Sequence, residues 1–106
     1  MKIINLTPHE IKIVGADGKV IQSFPSEGVV RCQVTRQQAG EVNGIPVNRT
    51  IFGDVEGLPE QQEGIVYIVS ALVAQAVKDR DDLLIPDDAV RDEQGRVVGC
   101  RAFAMV

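Results

Sequence analysis

Cys32, Cys100 and His9, the only histidine, are the side chains that could form a cysteine-histidine catalytic pair. A thiol beside an imidazole is an activated nucleophile, and separation along the chain does not exclude such a pair. Both cysteines, however, lie in strand-like segments beside valine and alanine, which are typical surroundings of buried, unreactive thiols. We therefore predict structural cysteines, no catalytic residue and a protein that is not an enzyme.

Metal and cofactor sites are not indicated either. One histidine and two cysteines without a CxxC spacing are too few for an all-protein zinc site. The adjacent acids at 81–82, 87–88 and 92–93 lack the spacing of a calcium loop. The glycine-rich segment 53–64 lacks both the Gly-Lys-Ser/Thr ending of a phosphate loop and the GxGxxG of a dinucleotide site. We expect no metal and no cofactor.

A small anion is the ligand that the remaining polar residues favour. Seven of the eleven basic residues are arginine, whose planar fork suits carboxylate and phosphate groups. Ser70 stands where a buried strand runs into a helix, a place where free backbone N–H groups can hold an anion, although plain helix capping alone accounts for its presence. The predicted ligand-binding residues are Thr7, His9, Arg31, Tyr67, Ser70 and Arg101.

Composition limits the class of protein. With 106 residues and 44% hydrophobic side chains, the chain is predicted to form a single domain, residues 1–106, around one core. Its net charge of -4 argues against nucleic-acid binding. We expect no signal peptide, and the densest apolar run, residues 65–77, is too short to span a membrane. We therefore expect a cytoplasmic protein with reduced cysteines.

Strands dominate the predicted elements, which give an α+β, mainly β fold with one helix at about residues 70–80. Residues 65–69 are apolar on both faces, as in a central strand covered on both sides. Turn residues at 15–18, 43–44 and 92–95 indicate hairpins, so we predict a curled antiparallel sheet or small barrel. The predicted strands are residues 2–6, 10–14, 19–24, 29–35, 47–52, 65–69 and 83–85, followed by a turn at 86–88 and a last hairpin that runs from about residue 89 through 92–95 to a strand at 96–105.

The segment NLTPHEIKIV poses a local conflict. Thr7, Pro8 and Glu10 have the pattern of a helix-starting capping box, but residues 10–14 alternate like a strand. A proline disfavours a helical residue before it. We therefore predict a corner at residues 7–9, with His9 on a loop between two strands.

Longer motifs add a resemblance. The opening NLTPH, the NGIPV hairpin, and the stretches EGLPEQQEGIVYIVSALVAQAV, RDDLLIPD and DEQGRVVGCRAF together resemble a group of small proteins encoded by phages, prophages and bacteria. The resemblance covers most of the chain. It implies a phage or mobile-element setting inside a bacterial cytoplasm, in which small acidic proteins often inhibit host defence by blocking a protein or sequestering a nucleotide signal.

Three functions follow as hypotheses. The first is a binding protein, expected to be a homo-oligomer, that sequesters a small anionic, nucleotide-like ligand to counter host defence. The second is an inhibitor that covers a basic surface of a host protein. Its acidic surface would consist of Glu56, Glu60, Glu63, Asp81, Asp82, Asp87 and Asp88. The third is a small hydrolase that uses His9.

Overall fold

A computed structural model describes all 106 residues, and its strands form two sheets. The larger sheet has six strands in the order β1-β6-β7-β8-β2-β3, and the smaller one pairs β4 with β5. The predicted mainly β fold with a single helix is therefore confirmed. The strands are β1 (Lys2–Asn5), β2 (Ile11–Val14), β3 (Val20–Phe24), β4 (Arg31–Val42), β5 (Ile45–Glu56), β6 (Ile65–Ile68), β7 (Leu83–Arg91) and β8 (Val97–Ala104).

The larger sheet is mixed, which differs from the predicted antiparallel arrangement. β1 with β6, β6 with β7, and β2 with β8 pair in parallel, whereas β2 with β3 and β7 with β8 are antiparallel. Period-two alternation shows which face a side chain occupies but not the direction of the neighbouring strand. The sheet is curled, because its edges meet at a parallel bridge between Asn5 and Ser26.

The core lies under β6 and the single helix, α1 (Ala71–Ala76). Ile68 and Val69 are fully buried, as predicted for a strand covered on both sides. Val73 of the helix is 1% exposed and packs into the same cluster as Leu83 of β7. Because only 13 of 106 residues are buried, a large part of the chain lies outside this core.

The helix is shorter than predicted. Ser70 caps it as expected, since its hydroxyl oxygen accepts the Val73 N–H at 3.3 Å. It ends at Ala76 because Val77 leaves the helical region, with φ -128° and ψ 54°. The following turn brings Arg80 back to Asp82 and to the carbonyl oxygen of Pro59.

Two further expectations are corrected. Residues 86–88 do not form a turn; β7 continues through them, with Pro86 opposite Phe103 of β8. β4 is also longer than residues 29–35. Cys32, predicted as a core residue, is only half-buried at the base of that strand, and Val34 on the same face is 38% exposed.

β4 and β5 form a hairpin that we call the arm (residues 31–56). The Asn-Gly signal holds: Asn43 and Gly44 turn the chain with positive φ values of 52° and 79°. Cys32 and Val55 at its base pack against the core, but all residues from 33 to 54 are exposed. The arm therefore projects from the body. The radius of gyration, 16.4 Å, accordingly exceeds the ~13 Å of a compact chain of this length.

Candidate functional site

A groove of about 970 Å³ is the one cavity of the structure. It opens where the corner before β2 meets the middle of β7 and the start of β8. Gly99 allows this close approach of strands, since a Cβ there would lie 2.9 Å from the Lys12 carbonyl oxygen and 2.7 Å from Val14 Cγ2. The groove is lined by residues 9–12, 86–89 and 97–100.

The groove combines apolar surface with negative charge. Val97 and Val98 of β8 are 58% and 45% exposed. Three carboxylates line it, those of Glu10, Asp87 and Asp88, against a single lysine, Lys12. Apolar side chains together with a cationic group would be complementary to such a surface.

Two ion pairs modify that charge without removing it. Lys12 Nζ lies 3.7 Å from Glu10 Oε1, and Arg101 Nη1 lies 4.0 Å from Asp88 Oδ1. Both pairs are exposed, so water screens them and neither fixes its partners firmly. Asp87 has no cation within ion-pair distance and contributes an uncompensated charge.

His9 stands at the rim of the groove. Its backbone is fixed: the carbonyl oxygen accepts the Asn5 side-chain amide at 2.7 Å and lies 3.0 Å from the Thr7 hydroxyl. Its imidazole is exposed and makes no hydrogen bond. Cys100 also lines the groove but is 4% exposed, and no hydrogen bond joins it to His9. No three His, Cys, Asp or Glu side chains converge as a metal site requires.

The structure does not bring the six predicted ligand residues together. His9 lines the groove, and Arg101 reaches its edge through Asp88. Ser70 caps the helix, and Arg31 is exposed at the base of the arm.

The other two are structural. Tyr67 is 2% exposed within the core cluster. The Thr7 hydroxyl lies 2.7 Å from Asn5 Oδ1, which also accepts the Thr7 N–H at 2.9 Å. Neither Tyr67 nor Thr7 lines the groove. Tyr67 packs in the hydrophobic core, and Thr7 is hydrogen-bonded to Asn5.

The second hypothesis placed seven acids on one surface, and one of them is not available. Asp82 is 4% exposed and forms a bidentate pair with Arg80, at 2.8 Å and 2.7 Å. This hydrogen-bonded guanidinium holds the pKa of the Asp82 carboxyl below its ordinary value, although burial opposes it, and the carboxylate in turn raises the pKa of Arg80. Asp82 is therefore part of the fold.

Sequence reasoning missed the hydrophobic half of the groove. Val97 and Val98 are adjacent, and regular alternation would place them on opposite faces of the strand. A register shift opposite Val90 and Arg91 interrupts that alternation, and both valines line the groove. Two valines in succession at the start of a strand therefore require cover or leave apolar surface in water. That signal was present, but the partners Glu10 and Lys12 could not be placed beside them without knowing that β2 pairs with β8.

Comparison with protein-family models, with curated proteins and with solved structures gave no match. The resemblance to phage-encoded proteins therefore stays a prediction. No helix of the structure is long and apolar enough to cross a membrane.

Proposed function

We propose that this protein acts by binding, and that the groove receives a protein segment with apolar side chains and at least one basic side chain. One observation supports this proposal above all: exposed Val97 and Val98 lie in the same groove as three carboxylates and only one lysine. In the phage setting that the resemblance implies, such a protein would counter host defence by covering a basic segment of a host protein.

The test is a peptide-display selection against the full chain, immobilised at low density so that single copies are presented. We expect selected peptides to combine aliphatic residues with Lys or Arg, and their affinity to fall as salt rises. A triple variant, Glu10→Gln, Asp87→Asn and Asp88→Asn, should bind them at least about tenfold more weakly.

A charge-matched control distinguishes the effect of the groove carboxylates on binding from the effect of the net charge of the protein. Glu60→Gln, Glu63→Gln and Asp81→Asn remove three exposed carboxylates that do not line the groove. Peptides that lose equal affinity for both triple variants would refute the groove as the binding surface. Peptides without basic residues would refute the charge argument.

A small anionic, nucleotide-like ligand is the second candidate, and two arginines of the arm favour it. Arg36 and Arg49 are exposed and form no ion pair. Arg36 lies opposite Thr50 and Arg49 opposite Gln37, in adjacent pairs of the ladder. They therefore point to opposite faces of the arm, so a clamp around one anion would need arginines from two copies.

Titration calorimetry with cyclic dinucleotides and ADP-ribose derivatives tests this second candidate. Binding should weaken on Arg49→Ala, with Arg101→Ala as the comparison for the groove edge. Silent titrations with every such ligand would exclude it and would leave the groove proposal unaffected.

A further inference from the structure

The arm carries an apolar face that nothing in the chain covers. Val42, Ile45, Val47 and Ile51 share one face, because Val42 pairs with Ile45 and β5 alternates regularly from there to Ile51. We call these four residues the apolar arm face; they are 60%, 65%, 41% and 41% exposed. A two-stranded ribbon is only marginally stable in water without a surface packed against it.

We propose that the apolar arm face docks in the groove of a second copy of this chain, and that two copies exchange their arms reciprocally. This inference rests on the proposed function, because it uses the same groove: the arm of a second copy fills the groove until a host segment of the same chemistry displaces it. The arm has the chemistry that the groove requires: Arg49 lies on the apolar arm face between Val47 and Ile51.

Charge complementarity favours the groove, and not a second arm, as the surface that the apolar arm face contacts. Arg49 has no ion-pair partner in its own chain, and Asp87 of the groove has none either. Two apolar arm faces packed on each other would enclose Arg49 from both copies with no carboxylate on either face. Docked in the groove, Arg49 reaches carboxylates while its aliphatic neighbours cover Val97 and Val98.

Symmetry favours reciprocal exchange over a single contact, because one arm in one groove leaves a second arm and a second groove without a partner. A two-fold axis provides both contacts and closes the assembly at two copies.

The experiment is sedimentation velocity of the full chain over a concentration series. We expect wild type to be a dimer. Arg49→Glu should weaken dimerisation at least about tenfold, and Asp87→Lys should do likewise. The double variant should regain an affinity within about threefold of wild type, since the charges are exchanged.

Arg36→Glu is the matched control, because it makes the same change on the opposite face of the arm and should leave dimerisation unchanged. Thermal unfolding followed by circular dichroism confirms that each variant is folded.

Three outcomes would overturn the proposal. A wild-type monomer at every concentration refutes arm exchange, and the peptide selection still tests the groove separately. A dimer sensitive to Arg49→Glu but not to Asp87→Lys indicates arm-on-arm contact instead. A dimer that Arg36→Glu weakens as much as Arg49→Glu shows that the apolar arm face is not the contact surface.

Discussion

Asn5 links the two edges of the curled sheet. Its side chain is fully buried, and its amide nitrogen donates to the carbonyl oxygens of His9 at 2.7 Å and Phe24 at 2.8 Å. Its Oδ1 accepts the Thr7 N–H, as described above. One side chain thereby connects β1, the corner before β2 and the end of β3.

Replacing Asn5 with alanine should therefore destabilise the protein strongly. The change removes the amide donor to two part-buried carbonyl oxygens and the acceptor of the buried Thr7 N–H, and we expect a loss of about 2–4 kcal/mol in the free energy of unfolding. Urea unfolding measures it. Asn48→Ala, on the exposed arm and without a side-chain hydrogen bond, is the control; equal losses would show that Asn5 does not link the edges.

The pair of Arg80 and Asp82 predicts a pH dependence. Because the Asp82 pKa is lowered in the folded state, the pair contributes its full stability above the carboxyl pKa of the unfolded chain, about 3.9. That contribution is lost as pH falls from there through the lowered folded pKa.

Asp82→Asn should thus cost about 2 kcal/mol at neutral pH, and the difference from wild type should shrink as the pH falls below about 4. Urea midpoints at a series of pH values test this. Asp79→Asn, an exposed neighbour without an ion pair, is the control. A difference that stays constant in acid would contradict the assigned pairing.

Residue roles were the least predictable part of the sequence. The role of Ser70 as a helix cap could be predicted from the neighbouring sequence, because a cap bonds to a backbone N–H within the next three residues. Thr7, Tyr67 and Asp82 have types that suit ligand binding or solvent exposure, but all three are buried. The partners of Thr7 and Asp82, Asn5 and Arg80, are only two residues away. Their burial, however, depends on strands that are distant along the chain, and local patterns do not predict it.

At the scale of elements, close approach of β2 and β8 shapes the groove. Gly99→Ala should place a methyl group against the Lys12 carbonyl oxygen, a backbone atom that cannot move aside. We expect a destabilisation of about 1–3 kcal/mol. Thermal unfolding tests it, with Val97→Ala on the same strand as an exposed control. An unchanged midpoint for Gly99→Ala would mean that the strands can separate freely.

Turn and strand signals predicted most elements but not their extent. The Asn-Gly turn and the doubly apolar β6 were found because each pattern is local. β7 was cut short at Pro86, since Pro-Asp-Asp favours a turn until pairing with β8 overrides that preference. Parallel pairing was missed for a similar reason: it depends on strands that are distant along the chain.

At the scale of the whole molecule, the outer part of the arm does not pack against the body, because residues 33–54 are all exposed. Replacing residues 38–48 by Asn-Gly would rejoin Gln37 to Arg49, which already face each other. We expect the body to remain folded, because the removed residues are all exposed. We expect dimerisation to be lost, because three of the four residues of the apolar arm face are removed. Near-ultraviolet circular dichroism of Tyr67, the only tyrosine, reports on the core; loss of its signal would show that the body depends on the arm.

The strand order also determines when this protein can fold. β1 pairs with β6, and β2 pairs with β8, so early strands have late partners. Closing such long loops is entropically costly and slows folding. During synthesis, only the hairpins β2-β3 and β4-β5 can form before β6 leaves the ribosome, and neither encloses a core. Both strands of the arm, as a local hairpin, are therefore synthesised before the body that bears the groove can assemble.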